Sequence, residues 1–221
     1  MIETTGLVVR RGGHEYFGGL RLRVEDGESV RVAGPNGCGK STLLAVLAGL
    51  CRPSAGSVRI AGRSPDDRAV RALRGFLQEP PPLYEHLTVH EHLALVGRLW
   101  SVRAGELGDR ASELGLADRQ DVLVGELSLG QRKKLGYVCA TAHRPQLLLL
   151  DEPFNALDPA AVTAVTDDLR QRAQTGLTTV LVSHLDTAID LVDRTLDLGA
   201  LTPGPRDTGR TPGMEDAGDA A

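Results

Sequence analysis

At 221 residues, 41% of them apolar and with a formal net charge of −4, the chain can bury a sizeable core and carries no global pull toward nucleic acid or anionic membrane. Aromatic residues are only 3% while glycines number 26, which suits close helix–strand packing in an α/β protein better than an aromatic-rich sandwich. The three cysteines, Cys38, Cys51 and Cys139, fall at no metal-ligand or disulfide spacing and fit a reducing compartment.

Met1–Arg10 lacks a basic flank followed by an apolar stretch, so no signal peptide is expected, and no apolar run is long enough to span a bilayer. Short strands are predicted at Leu7–Arg10, Leu20–Val24, Ser29–Ala33 and Ser57–Ala61, with Asp26-Gly27 as a hairpin turn between the second and third. A Gly-rich loop then opens a helix from Ser41 to about Leu50, with Leu43, Leu44, Leu47 and Leu50 on helical spacing and Pro53 as its stop. Between about 79 and 127 the pattern is helical. Thr88 and Glu91 form a capping box, and Leu93, Leu95, Val96 and Leu99 supply an apolar face.

Leu147–Leu150 is an uninterrupted apolar run, hence a buried parallel strand. Asp158-Pro159 caps a helix that Gly176 ends, Thr178–Ser183 is a further buried strand, and Ser183 with Asp186 starts another helix. Strands alternating with helices imply a parallel sheet flanked by helices. The tail over 202–221 is Pro, Gly, Asp and Ala with almost no large apolar residue and reads as disordered.

Gly34-Pro35-Asn36-Gly37-Cys38-Gly39-Lys40-Ser41, followed by Thr42, fits the phosphate-loop pattern between a predicted strand and helix. Its glycines let backbone N–H groups wrap phosphates at a helix N-terminus. Lys40 brings a point charge to the β and γ phosphates, and the Ser41 hydroxyl is a ligand for Mg²⁺. Asp151 and Glu152 emerge where the buried strand ends, as ligand sites do in open parallel sheets. Asp151 is placed to hold Mg²⁺ and Glu152 to polarise an attacking water.

Ser128-Leu129-Gly130-Gln131 reads locally as a capping box. In series with the motifs around it, it resembles the signature of ATP-binding cassette proteins, and the resemblance covers roughly 3–200. The resemblance implies a P-loop NTPase core with an N-terminal antiparallel β-subdomain and an inserted helical subdomain over about 79–142, in one domain spanning 1–201. It further implies that Gln78 touches Mg²⁺ and senses a partner, that Asp158 lies in a loop communicating between protomers, and that His184 contacts the γ-phosphate. ATP would be sandwiched between the phosphate loop of one chain and the signature of another, where a free helix N-terminus is a ready anion site.

Two positions depart from the family pattern. Leu129 stands where glycine is usual, which restricts the backbone and adds bulk near the phosphate. The aromatic that usually stacks on adenine falls at Arg11 by spacing; His14, Tyr16 and Phe17 are nearby, and Tyr16 is favoured. His86, His90 and His92 lack the further ligands of a metal shell and read as a solvated or partner-facing surface. Arg132-Lys133-Lys134 reads as a solvated basic face, or as support for the dimer or nucleotide field. Tyr84, Leu87 and Pro80–Pro82 are expected to line a groove for a cytoplasmic helix of a membrane partner.

The resemblance therefore implies the ATPase subunit of an ABC transporter, peripheral at the cytoplasmic face, forming a head-to-tail homodimer or pairing with a second cassette when ATP-bound, and working with separate transmembrane subunits. Export is favoured because no extra C-terminal regulatory domain is read. The rival is a soluble cassette acting on a protein or nucleic-acid complex; retention of both Glu152 and His184 weighs against a non-hydrolysing module.

Overall fold

The computed structural model describes residues 1–184 and 190–199; the tail over 202–221 and the helix expected after Ser183 lie outside them. In chain order the elements are β1 (Ile2–Arg11), β2 (His14–Val24), β3 (Ser29–Ala33), α1 (Lys40–Leu47), β4 (Ala55–Ile60), α2 (Arg68–Leu73), β5 (Arg74–Leu77), α3 (Val89–Trp100), α4 (Ala104–Ala111), α5 (Leu129–Ala140), β6 (Leu147–Asp151), α6 (Pro159–Gln174), β7 (Thr178–Val182) and β8 (Arg194–Asp197). Among the described residues no helix is long and apolar enough to cross a membrane.

The strands form two sheets. One is antiparallel in the order β2-β1-β4, and the other is parallel in the order β5-β6-β7-β3-β8. This corrects the expected hairpin. Asp26-Gly27 does turn the chain, with Gly27 at φ 77°, but β2 and β3 never pair. The reason lies in burial. β2 carries many exposed residues, as a sheet with one wet face requires, whereas β3 is at least half-buried throughout and belongs between layers.

Leu147, Leu148, Leu149 and Leu150 show the layering. Alternate side chains of a strand point to opposite faces. Leu147 and Leu149 join a core with β1, β2, α1 and the phosphate-loop Cys38, while Leu148 and Leu150 join a second core with α3, α5 and α6. Truncating any one of these leucines to alanine removes about 2–5 kcal/mol, the usual loss for a fully buried leucine.

Helix α1 is shorter than its leucine spacing predicts. It stops at Leu47, and Leu50, expected on its apolar face, is exposed. Gly49 at φ 68° turns the chain so that the Leu50 N–H reaches the Ala45 carbonyl (2.8 Å) and the Gly49 N–H reaches that of Val46 (3.0 Å). Those paired bonds are the Schellman stop, so glycine ends the helix before Pro53 can. The Thr88–Glu91 capping box forms as expected, although Leu99 points outward rather than into the core.

Candidate functional site

Parallel strands β5, β6, β7 and β3 stand side by side and all end at one edge. Their register sets what emerges there. Leu77 pairs with Leu150, so Gln78 leaves beside Asp151; Asp151 pairs with Val182, so Glu152 leaves beside Ser183 and His184. Val32 pairs with the same Val182, and the loop from Gly34 begins just beyond. Residues distant in sequence thus meet at the carboxyl edge of the sheet, where open α/β sheets bind ligands.

Gly34, Gly37 and Gly39 all adopt positive φ, and Gly39 holds the N-cap position of α1. Space also demands glycine twice. A Cβ on Gly34 would stand 2.7 Å from the Cys38 Sγ, and one on Gly39 would stand 2.9 Å from ring atoms of both Tyr16 and Phe17. Tyr16 is therefore brought against the phosphate loop, half-buried, while Phe17 is buried in the core and Arg11 and His14 face solvent. The Lys40 Nζ donates to the carbonyls of Gly34 (2.8 Å) and Pro35 (3.1 Å), which holds the ammonium over the loop.

Asp151 is almost wholly buried, and burial pushes its carboxyl up from the usual range; a Ser41 hydrogen bond and the Lys133 and Lys40 charges oppose that rise. Glu152 has φ 47°, a left-handed backbone that costs a non-glycine residue about 1–2 kcal/mol. Its carboxylate lies 3.3 Å from the His184 Nε2 and accepts a 3.4 Å bond from the His184 N–H. Here an acid, an imidazole, a hydroxyl and an ammonium converge beside a loop of backbone donors, the parts needed to bind and cleave a phosphoanhydride.

A further motif opens α5. Ser128 caps α5, its hydroxyl accepting from the Gln131 N–H (3.2 Å) while the Gln131 carboxamide accepts from the Ser128 N–H (2.9 Å). A Cβ on Gly130 would stand 2.3 Å from the Ala156 carbonyl oxygen, so glycine is required where α5 rests on the loop after β6. Leu129 points to solvent, 51% exposed. Asp158 caps α6 by accepting from the Ala161 N–H at 2.9 Å and also accepts from the Lys134 Nζ at 2.6 Å. Those two bonds, the Lys134 one first, hold its carboxyl below the usual range.

The family model described as "ABC transporter" matches residues 17–155, more than half of the chain. The chain belongs to the ABC transporter family. It has the fold of that family's ATPase cassette. The daunorubicin/doxorubicin resistance ATP-binding protein DrrA of Streptomyces peucetius is 36% identical over 200 residues, covering 87% of this chain and 61% of that protein. The uncharacterized ABC transporter ATP-binding protein YdbJ of Bacillus subtilis is 35% identical over 201 residues, covering 89% of this chain and 65% of its own length. The chain thus spans somewhat under two thirds of the length of either relative. Among solved structures, an ATP-binding subunit of an ABC transporter superposes with a TM-score of 0.79 at 29% identity, covering 90% of this chain and 87% of that one.

Two further sequence expectations fail in part. Arg132-Lys133-Lys134 is no solvated face. Lys133 and Lys134 are buried, and all three cations are paired: Arg132 with Glu85 at 2.6 Å, Lys134 with Asp158 at 2.6 Å, and Lys133 with Glu79. Helix α5 is enclosed on most sides, which a short basic run does not disclose. His92 is also buried, with its Nδ1 3.7 Å from the Cys139 Sγ, whereas His86 and His90 are exposed. Among the described residues no group of three His, Cys, Asp or Glu is placed to hold a metal. Lys133 and Glu79 are the site neighbours that motif reading misses; the only sequence signal was their closeness to Ser128 and Gln78.

Proposed function

We propose that this cassette is the ATP-hydrolysing subunit of an ABC transporter, closing head-to-tail on a second copy when ATP binds. The observation that carries the reading is the Glu152 carboxylate held beside His184, next to the contact between Ser41 and Asp151. Backbone donors of Gly34–Thr42 and the Lys40 ammonium bind the phosphates. Glu152 accepts the proton of the attacking water, and His184 fixes the carboxylate and faces the γ-phosphate.

The Ser41 hydroxyl and the Asp151 carboxylate are hard oxygen donors already in contact, with the Gln78 carboxamide emerging on the adjacent strand, so this donor set fits Mg²⁺. When bound, the ion would neutralise the phosphate charge. Tyr16, held against Gly39, is the side chain we assign to adenine stacking.

The exposed N-terminus of α5, with Ser128, Leu129 and Gly130, would supply the other wall of the nucleotide site to the opposing copy, and Asp158 would lie at the same interface. The exposed Tyr84, with Leu87 and Pro80–Pro82 beside the exit of β5, would receive transmembrane subunits and bring the cassette to the membrane. A drug-resistance name on the Streptomyces peucetius relative supports export.

Glu152→Gln tests the reading. Turnover should fall by about 100-fold or more, the usual loss of a general base, while the variant accumulates as an ATP-bound dimer on size exclusion. Undiminished phosphate release would overturn it.

A further inference from the structure

Each cation of Arg132-Lys133-Lys134 meets a different carboxylate, but only Lys133 reaches the hydrolytic glutamate. Its side chain is fully enclosed. The Nζ donates to the Glu152 carbonyl at 2.8 Å and pairs with the Glu79 carboxylate. Glu79 follows Gln78 at the exit of β5, Glu152 stands at the exit of β6, and Lys133 rides on the helix that Ser128 begins. A single ammonium therefore ties three segments together.

Stability alone is a weak reason for such a group. Taking an ammonium out of water is expensive, and well-packed apolar residues often serve as well as a buried ion pair. Location supplies a better one. The Glu152 backbone is left-handed, a conformation that persists only where its surroundings hold it. What holds it is short: its N–H donates to the Val182 carbonyl (2.9 Å), and its own carbonyl accepts from the Asn155 N–H (3.3 Å) and from Lys133. Lys133 is the one of these anchors that comes from α5 rather than from β7 or the loop itself.

We propose that Lys133 is a positioning residue for ATP hydrolysis: anchored by Glu79, its ammonium holds the Glu152 peptide so that the carboxylate meets His184, and it passes displacements of α5 or of the segment after Gln78 to that carboxylate. The inference rests on Glu152 being the general base. It makes the glutamate's aim depend on the helix whose N-terminus would face the opposing protomer.

The test uses the full chain with Lys133→Met, Glu79→Gln and the double variant, measuring steady-state hydrolysis and, separately, the Kd of a fluorescent ATP analogue. Lys133→Met should lower kcat about 10- to 100-fold, as small misplacements of catalytic groups do, with Kd within about threefold of wild type. Glu79→Gln should lower kcat in the same selective way but less. The double variant should be no worse than Lys133→Met, because both changes release one link. If Lys133→Met does not fold, Glu79→Gln decides, since Glu79 is partly exposed and keeps its shape as glutamine. Unchanged kcat, loss of nucleotide affinity in step with kcat, or multiplying effects in the double variant would each overturn the proposal. Should Glu152→Gln remain active, the reading of the base fails instead, which separates the two.

Discussion

Asp151, which we assign to Mg²⁺, illustrates how a proposed role opposes stability at a single residue. Its carboxyl holds a proton more tightly folded than unfolded because burial raises its pKa, with Ser41, Lys133 and Lys40 only partly compensating. Where the folded state binds more protons, stability falls as pH rises. The loss begins at the ordinary carboxylate range, grows through the raised folded value, and persists at neutral pH. Asp151→Asn removes that charge at nearly constant shape. We expect the variant, free of nucleotide and Mg²⁺, to melt above wild type at neutral pH by calorimetry, with the gain shrinking toward acid pH, while hydrolysis is lost. A lower neutral Tm would show that the charge is stabilising after all. The place of Asp151 at the end of a buried strand was legible in the sequence because a run of leucines ending in acids is a local pattern. Lys133 was not, because a lysine between an arginine and another lysine looks solvated until the fold encloses it.

The same contrast holds for elements. Capping at Thr88, Ser128 and Asp158 was readable because each cap bonds within three residues of itself. What escaped depended on distant partners: the assignment of β3 to the parallel sheet, and the enclosure of α5. That helix buries residues around most of its circumference, and Gly136 leaves room for Pro81, whose Cβ would be 2.7 Å from an added methyl. Cys139, near the end of α5, contacts His92. Burial pushes its thiol up to about 12, against a smaller opposing effect of the Arg110 charge. Since the thiolate is the nucleophile, Cys139 should resist a disulfide reagent at mildly alkaline pH while the protein is folded and react on unfolding in denaturant, as followed by mass spectrometry. Labelling of Cys139 at the rate of a free thiol in the native state would mean that α5 opens readily.

For the whole molecule, the strand order decides which groups can cooperate within one chain. Gln78, Asp151, Glu152, His184 and the phosphate loop share the sheet edge because β5, β6, β7 and β3 are neighbours. Ser128 instead bonds within its own capping box, at the start of a helix whose glycine rests on Ala156. If the nucleotide site is shared between two copies, a head-to-tail pair holds two sites, each built from the phosphate loop of one and the signature of the other. Lys40→Ala spoils the first contribution of a chain and Ser128→Arg the second. Either variant alone should be near background. When the two are mixed and allowed to exchange, each mixed dimer pairs one intact phosphate loop with one intact signature. About half the dimers are mixed and one of their two sites is whole, so turnover should return to about a quarter of wild type if the sites act independently. A chain that completed its site alone would gain nothing from mixing, and phosphate release would stay at the sum of the separate variants.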